Sequence, residues 1–367
     1  MPYRRKRFTV DGSDDLEQQI AQDLEEIRNL VLARLDENHL TALVLGGGYG
    51  RGEGGVYVVD GKETVYNDYD FFVIVPHAAP FRRRIVAEAL SEVKSLVEPR
   101  CGIHVDFSPP IPHGALKRLP YELMFMELKA GHHVIIGPPD VLEDMPSYDV
   151  ESPPLEEGAR LFMNRGVGLL LARRKLQRED GLPNDDHEFV VRNIRKAKLA
   201  MGDAVLFVKT CYSPSYSDRL ARFRQVDLTG VPEKDLLSRY YEEAMAFKFH
   251  PSHECPGATS LSAWHEEVTR FYETMFLWFE QQRLSDPNLD WAAYQRRGRR
   301  LPRAGLLGSL RNLVRNLQLE TPHLPTFSQL FLHPRDRVLA RLPNLLFSNV
   351  NDPAIVDDVL RLWKYCG

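Results

Sequence analysis

The stretch from Leu43 to Val75 constrains the fold more than any other part of the chain. It begins in an apolar run, passes through seven glycines between positions 46 and 55, and ends in a second apolar run that two aspartates precede. Short apolar runs bounded by turn residues are typical of buried strands. Glycine lets the backbone adopt conformations closed to other residues and approach a ligand closely. We therefore expect a strand, a glycine turn and a second strand.

The two aspartates, Asp68 and Asp70, are two positions apart at the start of the second apolar run. Side chains alternate between the faces of a strand, so these carboxylates should project from the same face. Carboxylates are ligands for divalent cations, and a turn rich in backbone N–H groups suits phosphate. A solvated turn is the alternative explanation for such a pair. The adjoining apolar strand favours a site, since burying these charges without a partner is costly.

A third acid, Asp106, lies in the predicted strand His104–Phe107. Three carboxylates can hold two Mg²⁺ ions, which together clamp the attacking and leaving oxygens of a displacement at phosphorus. We expect Asp106 to complete the site of the ion that activates the incoming hydroxyl and to accept its proton. Arg51, within the glycine turn, would neutralise charge on the phosphates.

Dinucleotide binding is a rival interpretation of the glycines, because Gly50, Gly52 and Gly55 fit the spacing GxGxxG. That pattern requires a helix whose N-terminus meets the pyrophosphate. The residues from Val56 onward are β-branched and aromatic, which predicts a strand. We therefore disfavour this interpretation.

The motif Leu-Gly-Gly-Gly-Tyr-Gly-Arg-Gly-Glu at 45–53, followed by Asp-Tyr-Asp at 68–70, resembles the DNA polymerase β-type nucleotidyltransferase superfamily. The Gly-Arg-Gly-Glu part of the motif is most similar to the small bacterial branch that includes aminoglycoside and minimal nucleotidyltransferases. The resemblance covers about residues 15–140. It implies that Gly47 and Gly48 hold the nucleotide phosphates, that Asp68 and Asp70 bind metal, and that Asp106 is the third acid.

The chain departs from that pattern at two places. Gly48 stands where many members have serine, which removes one hydroxyl contact. Nineteen residues separate Gly48 from Asp68, a longer spacer than usual. We expect a β-hairpin to fill it, with strands at 56–59 and 64–66 joined by Asp60-Gly61.

The rest of the chain predicts an α+β protein with two domains. Residues 1–150 should form a catalytic domain, a mixed sheet with flanking helices, and residues 151–367 a mainly helical domain that closes over substrate and nucleotide. Within the second domain, the resemblance implies that a basic helix face meets the triphosphate, and Lys196 is its candidate nucleotide-binding residue. Helices are predicted at 13–37, 81–97, 121–130, 155–178, 187–210, 233–249, 260–284, 306–317 and 353–365, and a last strand at 133–136.

The formal net charge of the 367 residues is −4, and this balance disfavours sequence-independent nucleic-acid binding. A cluster of arginines between Arg296 and Arg315 remains a candidate for RNA or an acidic substrate, although no aromatic residues interleave it for stacking. The four cysteines form no CxxC pair, so neither a disulfide framework nor a cysteine zinc site is indicated. Without a signal-peptide pattern or a long apolar run, we expect a soluble cytoplasmic protein.

These observations predict a Mg²⁺-dependent nucleotidyltransferase that uses two metal ions. It would transfer a nucleoside monophosphate, AMP from ATP in the first instance, to a hydroxyl of a small molecule or a protein and release pyrophosphate. Three alternatives stay open: synthesis of linear or cyclic oligonucleotides, tailing of RNA, and a non-catalytic module of the same fold, such as an antitoxin that grips a toxin. The intact set of three acids favours an enzyme over that module.

Overall fold

A computed structural model describes residues 7–77, 79–178, 181–255, 259–302, 305–319, 327–348 and 353–366. The strands are β1 (Ala42–Leu45), β2 (Val56–Val59), β3 (Lys62–Val65), β4 (Asp68–Val75), β5 (His104–Phe107), β6 (Ile111–Pro112) and β7 (His133–Ile136). The helices are α1 (Asp14–Leu32), α2 (Gly47–Arg51), α3 (Pro80–Cys101), α4 (Leu123–Ala130), α5 (Leu155–Leu176), α6 (Asn184–Val208), α7 (Tyr216–Phe223), α8 (Lys234–Phe249), α9 (Leu261–Arg283), α10 (Trp291–Arg296), α11 (Leu306–Gln318), α12 (Phe327–Leu330), α13 (Pro334–Phe347) and α14 (Pro353–Cys366).

The chain divides into two compact units. The first contains the chain up to Pro153 together with two later segments, Tyr212–Ala221 and Met245–Ser252, and the second contains the remainder. The domain boundary predicted at residue 150 stays a prediction. The later segments matter for the site, because they bring side chains from beyond that boundary into the first unit.

The first unit is built on a mixed sheet in the order β5-β4-β1-β7, with β6 pairing to the far end of β4. Strands β4 and β5 are parallel, whereas β1 is antiparallel to both β4 and β7. Antiparallel pairing places the end of β1 beside the start of β4, with Leu45 opposite Phe71. The glycine turn that follows β1 therefore lies next to the aspartates that begin β4.

Alternation along the strands separates two cores. Leu43 and Leu45 of β1 and Phe71 and Val73 of β4 face one core, which helices α1 and α3 cover. Their neighbours along the strands face the other core with Leu116, Phe125 and Leu128. Asp68 and Asp70 are in phase with Phe72 and Ile74, and so belong to this second face.

Most predicted elements of the first unit are confirmed, including the inserted hairpin. Strands β2 and β3 pair antiparallel with Val56 opposite Val65. Asp60, at the tip, has a φ of 51° and is followed by Gly61 at 77°, the left-handed values that this dipeptide accommodates readily in hairpin turns. Helix α1 ends at Leu32, about a turn before the predicted residue 37.

The glycine stretch differs from the predicted turn, because one short helix, α2, forms inside it. The positive φ of Gly52, 80°, ends this helix in a left-handed cap. The strand predicted after the GxGxxG spacing is present as β2, so the long helix required by the dinucleotide pattern does not follow.

The second unit is helical, which confirms the α+β class for the whole chain. Helix α5 packs against α6, α9 and α13, and α6 also packs against α9. Besides α2, the sequence analysis missed four helices, α7, α10, α12 and α13. Helix α13 carries Pro343 in its interior, a residue that normally argues against a helix at that point. No helix that the structure describes is long and apolar enough to cross a membrane.

Candidate functional site

The three predicted acids meet on neighbouring strands. In the parallel pairing of β4 with β5, Asp70 lies opposite Asp106, and Asp68 lies two residues earlier on β4. Ligand oxygens of the three carboxylates all lie within 4.8 Å of one another. We call Asp68, Asp70 and Asp106 the acidic triad. Because the group comes from a strand pair rather than a loop, backbone hydrogen bonds fix its spacing.

The electrostatics of the triad centre on Asp70. Burial, followed by the negative charges of Asp68 and Asp106, raises the pKa of this carboxyl to about 7. The positive charges of Lys248 and Arg51 oppose the shift without cancelling it. A buried carboxylate with two like-charged neighbours is held in an unfavourable state, which a cation would relieve.

The other two acids have nearby donors. The side-chain amide of Asn67 donates to a carboxylate oxygen of Asp68. Lys94 Nζ donates to Asp106 Oδ1 at 3.0 Å, on the more exposed side of the triad, where the Asp106 side chain is 59% exposed. Asp106 is therefore the triad member that a molecule from solvent reaches most readily.

The predicted glycines lie against this group. Gly46 N donates to Asp70 O at 2.8 Å, which continues the pairing of β1 with β4 into the turn. Gly47 has a φ of +60°, and a Cβ at that position would stand 2.2 Å from Asp70 Oδ2. A Cβ on Gly48 would stand 2.9 Å from Lys248 Nζ. Only glycine at position 47 allows the turn to approach the carboxylate this closely.

Arg51 is placed behind the turn, in a buried network of charges. Its Nη1 lies 3.0 Å from Glu127 Oε2, and its Nε lies 3.9 Å from Glu53 Oε2. Glu127 also accepts from Arg219 and, at 2.9 Å, from Tyr212 Oη. Burial acts to raise the pKa of Glu127, but the charges of Arg51 and Arg219 outweigh it, so the pKa lies below its usual value. The predicted contact of Arg51 with phosphate stays a prediction.

Glu53, the last residue of the motif, fastens the glycine stretch to a later segment. Its carboxylate accepts from Ser215 Oγ at 2.8 Å and from the backbone N–H groups of Tyr216 and Ser217 at 3.0 and 3.2 Å. These contacts hold the start of α7 against the motif. The Gly-Arg-Gly-Glu sequence thus has a structural role, since both of its charged residues, Arg51 and Glu53, anchor the glycine turn.

Lys248 is a basic residue near the triad that the sequence analysis missed. It lies near the end of α8, in the later segment that belongs to the first unit. Burial lowers its pKa, and Arg51 adds to that effect, while Asp68, Glu53 and Asp70 oppose it. Its Nζ is 5.0 Å from the centre of the Tyr216 ring. No local signal marks this lysine, because it is one basic residue of an amphipathic helix far along the chain.

Lys196, the remaining predicted site residue, is on helix α6 of the second unit. Its predicted role in nucleotide binding stays a prediction. Asp203, two turns further along that helix, is buried and accepts from Tyr241 Oη at 2.7 Å.

No protein-family model matches this chain, and no curated protein matches it. What is shown is therefore an N-terminal mixed sheet that carries three acids close enough to hold a metal ion, followed by a helical region.

Proposed function

We propose that the acidic triad is the metal site of a Mg²⁺-dependent nucleotidyltransferase. In this reaction the bond between the α-phosphorus of a nucleoside triphosphate and the leaving oxygen breaks, and a bond from phosphorus to an acceptor hydroxyl forms. Pyrophosphate leaves, and the proton of the hydroxyl passes to a carboxylate. The observation that carries the proposal is the triad itself, lying against a glycine turn.

The donor set fits Mg²⁺. That ion binds oxygen ligands at about 2.1 Å, so two ligands of one ion lie within about 4.2 Å. Triad oxygens within 4.8 Å of one another need only small adjustments to share an ion, or can divide between two. Asp68 and Asp70 would hold both ions, and Asp106 would complete the set of ligands for one of them. When bound, such ions stabilise the charge on the attacking and leaving oxygens.

The residues around the triad suit a phosphate chain. Gly47 lets the backbone of the turn approach Asp70 closely, and Lys248 adds a positive charge next to Gly48. The paired Arg51 and Glu53 hold the turn in place, so that little ordering is needed when the substrate binds. Asp106, the most exposed of the three acids, is positioned to take the proton from an acceptor hydroxyl.

We propose ATP as the donor and a hydroxyl of a small molecule or a protein as the acceptor. The net charge of −4 supports a compact acceptor over a nucleic acid. RNA tailing, oligonucleotide synthesis and a non-catalytic module are the outcomes that the test below distinguishes.

The experiment is to incubate the protein with each α-labelled nucleoside triphosphate and Mg²⁺, with and without a cell extract, and to identify what becomes labelled. We expect label on a small molecule or a protein, release of pyrophosphate, and loss of both with Asp70→Asn. The matched control is Asp60→Asn, which makes the same change at the exposed hairpin tip. Label on RNA would move tailing ahead, and labelled free oligonucleotides would favour synthesis of that product. Absence of any label would favour the non-catalytic module, and transfer that survives Asp70→Asn would refute the assignment.

A further inference from the structure

The second unit contains a cavity of about 540 Å³ that is rich in arginine. Five arginines line it, against three carboxylates. Two of those carboxylates are already engaged. Asp336 accepts from the backbone N–H groups of Arg300 and Leu301, each at 2.9 Å, and Glu157 lies 3.9 Å from one lining arginine. The lining arginines are Arg160, Arg299, Arg311, Arg315 and Arg335.

Helix α11 turns its polar side toward this cavity. Asn312 and Asn316 are buried, and Asn312 lines the cavity, while Leu306 and Leu310 on the same helix are exposed. An amphipathic helix on a protein surface normally has the opposite orientation. Asn316 Nδ2 donates to the carbonyls of Leu330 and Leu332 at 2.9 and 2.8 Å, which fastens the helix to the segment leading into α13. Hydrogen bonds within the fold therefore hold the polar side of α11 against the cavity.

His333, at the start of α13, has a contact that an anion would satisfy. Burial, together with the charges of Arg335 and Arg315, lowers the pKa of its imidazole to about 4, so the ring is neutral at pH 7. A neutral imidazole has one acceptor nitrogen. Yet Nδ1 lies 3.2 Å from the donating Arg335 N–H, and Nε2 lies 3.3 Å from Arg315 Nη1. Whichever ring nitrogen carries the proton, that nitrogen faces an N–H donor of an arginine instead of an acceptor. An anion oxygen within reach of both N–H groups would accept from both and remove this mismatch.

We propose that this cavity binds an organic phosphate, a phosphomonoester joined to a flat aromatic group, as in a nucleoside monophosphate. The guanidinium fork matches phosphate oxygens in pairs, and the protonated nitrogen of the imidazole supplies a further donor. Phe331, Leu301 and Leu332 give the cavity an apolar side for the rest of the ligand. Its volume is within the range of small-molecule sites. This inference does not rest on the transferase activity proposed for the first unit.

The test is calorimetric titration with AMP in EDTA, compared with inorganic phosphate and citrate. We expect AMP to bind one site, at least about tenfold more tightly than phosphate or citrate, which is about 1.4 kcal/mol. Arg315→Gln and Arg311→Gln should each weaken AMP at least about tenfold, by loss of a charged donor. Arg296→Gln is the matched control, since Arg296 is exposed and lies outside the lining. Asp70→Asn should leave this affinity unchanged, which separates the inference from the proposed function.

Two further readouts keep the test decisive. Arg311 is exposed, so its replacement should preserve the fold, and thermal unfolding of each variant checks this. Hydrogen exchange should show AMP-dependent protection in α11 and α13. Absence of AMP binding to the wild-type protein, or affinity that both cavity substitutions leave unchanged, would overturn the proposal. Citrate binding more tightly than AMP would overturn the assignment to phosphate, and phosphate binding as tightly as AMP would overturn the aromatic part.

Discussion

Carboxylate side chains have opposite surroundings in the acidic triad and in the buried ion pairs of the second unit. In the second unit, Glu280 is fully buried and accepts from Arg283 Nε at 2.9 Å, and Asp336 is 2% exposed and lies 3.5 Å from Arg300 Nη1. In the first unit, half-buried Asp70 instead faces two other carboxylates. In a buried ion pair each charge balances the other, so removing one partner destabilises the fold. In a group of carboxylates the negative charges repel one another, and a bound cation would stabilise them.

The largest effect on stability should come from breaking a neutralised pair. Asp336→Asn keeps the shape of the side chain but leaves the charge of Arg300 unbalanced in a buried setting. We expect a loss of about 3 kcal/mol in the free energy of unfolding, measured by urea denaturation. Asp357→Asn is the control, because Asp357 makes a half-exposed pair with Arg174 at 3.0 Å and should cost less than about 1 kcal/mol. Equal losses in the two variants would contradict the distinction drawn here.

The close approach of the glycine turn to the triad is tested by Gly47→Ala. The new Cβ would clash with Asp70 Oδ2, and the φ of +60° would be strained. We expect Mn²⁺ affinity to fall by up to about 100-fold, because disturbing the groups that support metal ligands typically costs about 10- to 100-fold in affinity. Gly61→Ala separates the two causes, since Gly61 also has a positive φ, +77°, but nothing lies within 4 Å of the added atom. It should keep its affinity for metal, and a matching loss there would mean that backbone strain alone explains the result.

The crowding of charge also predicts a dependence of stability on pH. The folded-state pKa of Asp70, about 7, lies above its ordinary value of 3.8. Between these values the native state holds a proton that the unfolded state has released, so the free energy of unfolding falls as pH rises. In EDTA, Asp70→Asn should therefore become more stable than wild type, by about 2 kcal/mol above pH 7 and by little near pH 4. A stability difference that stays constant across this range would show that Asp70 is not strained.

The smallest predicted effect concerns the positive charge at the turn. Lys248→Met keeps the length of the side chain and removes the charge beside Gly48. We expect affinity for a non-hydrolysable ATP analogue to fall about tenfold, about 1.4 kcal/mol, with little loss of stability because the buried ammonium is already desolvated. Lys62→Met, on the exposed hairpin, is the matched control. Unchanged affinity in Lys248→Met would remove this lysine from the site.

Most strands of the sheet and all three acids could be predicted from the sequence, because the residue patterns that indicate them are local. Asp68 and Asp70 are marked by their spacing and by the apolar strand they begin, and Asp106 by a similar short strand. The class of fold followed from the same periodicities, and it is confirmed.

Contacts between residues far apart in the chain could not be predicted from the sequence, because they arise from the packing of distant segments. Lys248 reaches the glycine turn because the end of α8 packs with the first unit. Arg51 pairs with Glu127, 76 positions away, a contact that no spacing rule indicates. No spacing rule indicated that Arg300, within the arginine cluster, is buried against Asp336, because α13, the helix that carries this acid, has an internal proline and was not predicted.

The measurement that tests the central claim most directly is calorimetric titration of the metal-free protein with Mn²⁺ and Mg²⁺. The triad predicts binding of one or two ions by the wild-type protein, at least about 100-fold weaker binding by Asp70→Asn, and unchanged binding by Asp60→Asn. A wild-type protein that binds neither ion, or an Asp70→Asn variant that binds them equally well, would contradict the assignment of these three carboxylates as a metal site.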